Sequence, residues 1–398
     1  MKCVVMSRSL KNLTIVLACL MAIHQGLYAQ IDNEFWFAAP AVTEGHGDRP
    51  VLLRFTTFDK PADITITQPA NPGWPPIQLQ IPARQSRSVD LTFRVQILES
   101  EPPFVPLDRG LHIWSDQPIT VYYEVNYENN PDIFSLKGRN ALGRNFLIPA
   151  QNYWANYEWL DPPANSSFDM VATQDGTSIT IVPSVTVQGH AAGQPFTISL
   201  NRGQTYSVQA RGYSVSDQLT GTRVTSDKPI AITLKDDSNL FVPCYDLSGD
   251  QLVPVAVLGR EYIVVRGFLD GGDRVFVMAT EDNTEVVVDG DSVNVVRLNS
   301  GGMHQYLLSS YASSIMSSAP VYVLHATGFG CEIGYAVLPR IDCTGSKSVS
   351  FTRSTREFFG IMVITERGRE TSFSLNNRNN VLTGADFQEV PGTHRRYV

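Results

Sequence analysis

Polar and β-branched residues alternate along much of this chain. The runs ADITIT from Ala62, DGTSITIV from Asp175 and DNTEVVVDG from Asp282 each leave a polar turn and place an apolar side chain at every second position. A period of two marks a half-buried strand. RETSFSLNN from Arg369 has the same form. A second marker follows the first: SDQPI at Ser115–Ile119, SDKPI at Ser226–Ile230 and a weaker SSAPV at Ser317–Val321. Ser-Asp favours a turn through side-chain to backbone hydrogen bonds, and Pro presets φ. This predicts a turn at each marker and a strand directly after it, at Ile119–Tyr123, Ile230–Leu234 and Val321–Leu324. A third marker pairs LGRNF at Leu142–Phe146 with LGREY at Leu258–Tyr262. Its Gly is expected to supply a turn and its aromatic to start a strand.

The markers recur at intervals of about 90–115 residues, too long for a propeller blade or a solenoid turn. The expected fold is all-β, built of tandem β-sandwich-like repeat units packed side by side with little helix. Three units are expected over residues 31–160, 161–268 and 269–365, with 366–398 the start of a further, incomplete unit and an exposed strand edge. Residues 93–101 predict one or two helical turns. The Pro-rich stretches Pro69–Pro76 and Pro102–Pro106 predict loops projecting from the first unit.

Composition narrows the function classes. Hydrophobic residues make up 43% of the 398 and charged ones 18%, which supports a sizeable core and excludes general disorder. The formal net charge of -8 argues against nucleic acid, which selects basic surfaces. At the N-terminus, Lys2, Arg8 and Lys11 precede the apolar run Leu13–Ile23, and Tyr28-Ala29 precede Gln30. Residues 1–29 therefore read as a secretory signal peptide, with lipidation at Cys19 the lesser alternative. No run is long and apolar enough to predict a transmembrane helix. The expected location is secreted or cell-surface.

Once Cys3 and Cys19 leave with the signal, Cys244, Cys331 and Cys343 remain. An odd number leaves at least one cysteine without a partner in the chain. Cys331 and Cys343 flank the strand-like run Gly334–Pro339, so a disulfide between them is expected, with Cys244 a free thiol. Two reduced, buried thiols are the alternative. No CxxC or His pair accompanies them, so zinc is not expected.

His24, His46, His112, His190, His304, His325 and His394 show no metal-ligand spacing, and His325 reads as a satisfied strand histidine. Neither a G-x-S-x-G elbow nor a P-loop is present. Asp270, Asp273, Glu281, Asp282, Asp289 and Asp291 are dense enough to consider as calcium ligands, but they match no EF-hand pattern, and Asp favours turns in any case. No metal, cofactor or catalytic residue is assigned. Tyr153, Trp154, Tyr157 and Trp159 form the densest aromatic cluster: either a platform for a sugar or protein partner, or packing between the first two units. Asn165-Ser166-Ser167 is a glycosylation sequon.

The segment Val224–Val265, with VTSDKPIAITL and VPCYDLSGDQLVPVAVLGREYIVV, resembles the N-terminal domain family of IgG-Fc-binding protein. NEFWFAAP at Asn33–Pro40, CEIGYAVLPRIDCTGS at Cys331–Ser346 and FQEVPGT at Phe387–Thr393 look like further landmarks of that family, in its order and over about residues 31–398. Similar chains occur among exported bacterial proteins. Three departures stand out. A family cysteine upstream of Cys244 is replaced by Lys235-Asp236-Asp237-Ser238-Asn239, the chain ends soon after VPGT as if truncated, and no further domain follows. The resemblance implies an exported, non-catalytic binding or adhesion module for a protein or glycoprotein, with immunoglobulin Fc or mucin as partner. The alternative is a structural spacer of a larger surface protein. A hydrolase would need a carboxylate pair that sequence cannot locate.

Overall fold

The computed structural model describes residues 30–127, 130–341, 349, 360–376 and 378–398. The expected signal peptide and Cys343 lie outside the described residues. The chain is almost entirely strand, and its helical segments are short 3-10 turns. One of these, Thr92–Ile97, answers the helical turns expected near residues 93–101.

Three sheets, antiparallel except where Phe268–Leu269 of the third runs parallel to its long strand, share one connectivity. The first contains β1 (Asp32–Phe37), β2 (Val51–Thr57), β3 (Ala62–Thr67), β4 (Ile77–Ile81), β5 (Ser86–Asp90), β6 (Leu111–Tyr127) and β7 (Asn130–Ser135). The second contains β8 (Gly143–Leu147), β9 (Ser166–Ala172), β10 (Thr177–Val182), β11 (Phe196–Leu200), β12 (Thr205–Gln209), β13 (Arg223–Phe241) and β14 (Cys244–Gln251). The third contains β15 (Gly259–Val265), β16 (Phe268–Leu269), β17 (Arg274–Ala279), β18 (Thr284–Val288), β19 (Val296–Leu298), β20 (Met303–Leu307), β21 (Ala312–Gly330) and β22 (Glu332–Val337). Their orders are β4-β3-β6-β2-β5, β11-β10-β13-β9-β12 and β19-β18-β21-β17-β20. Strands β1 and β7 also pair with β6, β8 and β14 with β13, and β15, β16 and β22 with β21.

The sheets change over at residues 136–142 and 252–258, so β8 and β15 open the second and third sheets ahead of the divisions expected after residues 160 and 268. The second marker also sits differently from expectation. It does not precede a strand but lies inside the long strands β6, β13 and β21. There the strand changes partners. Before the marker β6 pairs with β1 and β3, and after it with β2 and β7. The Pro of the marker has no N–H for a ladder, so it suits the point where one set of partners ends and another begins. The bend curves each sheet around its own core.

Alternation holds in β3 and β10. Ile64 and Ile66 in β3, and Ile179 and Ile181 in β10, are buried, while the residues between them face outward. Gly143 opens β8 for a reason other than a turn: a Cβ there would lie 2.2 Å from the Pro254 ring. Phe146 and Tyr262 are buried, as aromatic strand starters should be.

The first core gathers Phe35, Phe37, Phe55, Tyr123 and Phe134. The second extends from Phe168, Ile179 and Ile232 to Phe276, Tyr322 and Ile333 of the third sheet, so sheets two and three share apolar packing. Trp36 and Ala38 meet Val171 and Ala231 between sheets one and two. The Pro-rich loops do not project. Trp74 is buried with Arg94 over its ring, and the Phe104 and Leu107 amides donate to Ser207 and Thr205 carbonyls of the second sheet.

After the third sheet come β23 (Ile364–Glu366), β24 (Ser374–Leu375), β25 (Arg378–Asn379), β26 (Gln388–Glu389) and β27 (Arg395–Tyr397). They form two small sheets, β23-β27-β26 and β24-β25. The run from Arg369 thus supplies only the two-residue β24, not a strand of the length seen in the other units. Val390 and Tyr397 pack on Ile263 and Ala312 of the third sheet.

Candidate functional site

The second half of each long strand turns back as a hairpin: β6–β7, β13–β14 and β21–β22. The β14 strand lies between the other two return strands, and side chains stitch the three together. Along β14, Asp246, Ser248 and Asp250 recur at every second residue and share one face. Asp246 and Asp250 accept from the Ile333 and Val337 amides of β22 at 3.2 and 2.9 Å, and Ser248 donates to the Ile333 carbonyl at 3.0 Å. On the other side, Gly249 and Leu247 amides donate to Asp132 and Asn130 side chains. Carboxylates stand in for the strand carbonyls that a regular ladder would use. Gly249 is required here, because a Cβ would lie 2.3 Å from the Phe134 ring and 2.4 Å from the Leu234 carbonyl.

These groups are buried, and burial sets their chemistry. Desolvation pushes the Asp132 carboxyl well above the usual range, against two backbone N–H bonds that favour its charge. Desolvation and the neighbouring Glu332 carboxyl push Asp246 up to about 9. Asp250 pairs with Lys137 at 2.7 Å, and burial lowers that lysine. Asp237 behaves oppositely. Burial alone would raise it, but the Lys235 charge and the His46 and Thr43 contacts outweigh burial and hold it low. His46 Nε2 lies 2.8 Å from the Tyr245 carbonyl, which can only accept, so this nitrogen carries a proton.

The run Lys235–Asn239, which stands where the family has a cysteine, lies within β13 and is interior: all five residues are buried. The usable sequence signal was the period-two spacing of Asp246, Ser248 and Asp250, which reads as one polar face of a strand and needs partners when buried.

The hairpin tips are joined covalently. Cys244 at the start of β14 is disulfide-bonded to Cys331, in the turn between β21 and β22, with Cα atoms 5.7 Å apart. This corrects the expected Cys331–Cys343 pair and the free thiol at Cys244. Proximity in sequence suggested the local pair, but the repeat places two equivalent hairpin turns side by side. Asn130 brings the first hairpin to the same rim, because its side chain contacts Leu247 and the His46 carbonyl.

Exposed apolar side chains gather around these tips. Val242 (77% exposed) and Phe329 (76%) lie two residues before the bonded cysteines, and Phe268 packs edge-on against Phe329 with centroids 6.5 Å apart. Large exposed apolar groups at one place are a feature of binding faces.

The aromatic cluster Tyr153–Trp159 is split by the fold. Trp154 is buried between Phe241 and Phe276, where it joins the second and third sheets. Tyr153 is half-exposed beneath the Arg274 guanidinium. Tyr157 stacks on Tyr245 at 4.4 Å, and Trp159, two residues on, is 76% exposed beside the rim. Only Trp159 keeps the open face that a platform needs.

The remaining candidates are accounted for by local bonding. His325 Nε2 lies 2.8 Å from buried Asp273. Asp282, Asp289 and Asp291 accept the backbone N–H groups of Ser300, Ser314 and Val293 respectively. Among the described residues, three metal-capable groups converge at Cys244, Cys331 and Glu332, and two of these form the disulfide. Asn165 of the sequon is buried, and its Nδ2 donates to the Ala210 and Gly212 carbonyls, so it is closed to a glycan. Among the described residues no helix is long and apolar enough to cross a membrane.

Among curated proteins, none matches this chain. The family model described as IgGFc binding protein matches residues 134–398, about two thirds of the chain. The match takes in the second and third sheets, the disulfide, Trp159, Val242, Phe268 and Phe329, but leaves NEFWFAAP at Asn33–Pro40 outside it. The expected family holds on the core segment that suggested it, and the chain belongs to the IgGFc binding protein family.

Proposed function

We propose that this chain is an exported, non-catalytic adhesion module that engages a protein or glycoprotein through the rim of its hairpin tips. Family membership supports a binding role. The observation that carries the reading is the cross-linked rim, where Cys244–Cys331 holds Val242 and Phe329 beside Phe268 with Trp159 nearby. Binding energy concentrates on such exposed aromatic anchors when they are held rigidly, since less freedom is lost on association. A disulfide also favours an oxidising, extracellular setting, in accord with the leader read at residues 1–29.

Immunoglobulin Fc is the first partner to test, because the family description names it, and mucin is the second. The experiment is surface plasmon resonance of residues 30–398 over immobilised Fc, with Fab and a mucin in parallel channels. Saturable binding to Fc or mucin that Phe329→Ser weakens at least tenfold is the expected result. No binding on any surface by folded protein would overturn the reading and leave a structural spacer in its place.

A further inference from the structure

A cavity of about 550 Å³ lies between the first and second sheets. Its walls come from the loops around residues 41–49 and 95–103 on one side, and from β9, β12 and β13 with Pro162 and Pro163 on the other. The volume falls within the range of about 300–1,000 Å³ typical of small-molecule sites.

Basic and acidic side chains are mixed on the wall. Arg49, Arg109 and Lys235 share it with Glu44, Asp48, Glu101 and Asp237, and with Glu99. Lys235 is already satisfied, donating to the Ala41 carbonyl at 2.5 Å and to Asp237 at 3.3 Å. Arg109 Nη1 donates to the Glu99 backbone carbonyl at 2.6 Å. A strongly cationic ligand would meet three basic side chains, and a strongly anionic one several carboxylates.

Two buried wall residues keep unused hydrogen-bonding capacity. Glu99 is 6% exposed and its Oε1 has no partner; Ser100 is 1% exposed and its Oγ has none. Burial, with Asp48 nearby, raises the Glu99 carboxyl well above its usual range. A neutral carboxyl both donates and accepts, as a serine hydroxyl does. The matching ligand groups are therefore hydroxyls.

We propose that this cavity binds a neutral polyhydroxylated ligand, a saccharide of one or two rings, held by Glu99, Ser100 and Arg109. Its lining includes none of Trp159, Val242, Phe268 and Phe329, and the two readings stand or fall independently. Hydroxyl groups satisfy mixed donors and acceptors in turn without adding net charge.

The test is saturation-transfer NMR and calorimetric titration of the whole chain. The neutral probes are lactose, N-acetyllactosamine, chitobiose and mannobiose, with glucosamine and glucose 6-phosphate as charged controls. At least one neutral disaccharide should bind, with its signal weakened at least tenfold by Glu99→Ala or Ser100→Ala. Gln209→Ala, at a half-buried wall position, serves if the buried variants do not fold, and should weaken binding at least threefold. Phe329→Ser should leave saccharide binding unchanged. Binding by no neutral probe, equal or stronger binding of the charged controls, or affinity unchanged in every folded cavity variant would overturn the proposal.

Discussion

The backbone amide of Asp63, at the second position of β3, donates to the side chain of Asp116 across 2.8 Å. The same bond recurs as Ser178 to Asp227 at 2.8 Å and Glu285 to Ser318 at 2.8 Å. The polar residue of one recurring motif thus caps the strand opened by another. Two motifs 33 to 53 residues apart, recognised in sequence only as repeats, are partners in space. Removing one cap has a bounded effect: Asp227→Ala should lower stability by about 1 kcal/mol. Urea unfolding should show a reduced midpoint with an unchanged slope, whereas an unchanged midpoint would mean the bond contributes nothing.

Closing 87 residues of chain by Cys244–Cys331 should stabilise by roughly 4–5 kcal/mol in the chain-entropy model. The Cys244→Ser/Cys331→Ser double variant should melt roughly 10 °C lower. Mass spectrometry of non-reduced peptides should recover Cys244 linked to Cys331; a Cys331–Cys343 peptide instead would contradict the structure.

Buried Asp169 supplies a pH dependence. Desolvation raises its pKa to about 7, opposed by the Lys235 charge. Between its unfolded value near 4 and pH 7, the folded state keeps a proton that the unfolded state releases, so this group makes stability fall as pH rises through that window and level off above it. Asp169→Asn should remove this slope and melt higher than wild type at pH 8, with little difference at pH 4. Parallel melting curves across pH 4 to 8 would show instead that the carboxylate is charged when folded.

The two tryptophans of the aromatic cluster should separate cleanly. Trp154→Ala empties a packed site and should cost about 3–5 kcal/mol, whereas Trp159→Ala should change stability by under about 0.5 kcal/mol. Thermal melts of both decide this, and a large loss at Trp159 would place it in the core.

Exposed Val242 and Phe329 should likewise be dispensable for folding. Val242→Ser with Phe329→Ser should leave the melting temperature within a few degrees while binding to the partner falls at least tenfold. A collapse of the melting curve would assign these side chains to the fold.

Alternation at Ile64, Ile66, Ile179 and Ile181, together with the recurring motifs, already determined an all-β chain with repeated sheets, because strand formation and facing depend on local period and turn chemistry. The residue types of the Val224–Val265 segment also determined the family. The partner of Cys244, the interior position of Lys235–Asn239 and the separation of Trp154 from Trp159 were decided only in three dimensions. Each depends on which hairpins lie together after the long strands bend, and neither spacing nor hydropathy encodes that. A run such as Lys-Asp-Asp-Ser-Asn reads as solvated until neighbouring hairpins supply its hydrogen bonds. Cysteines close in sequence likewise read as a pair until the repeat brings two distant turns within bonding distance.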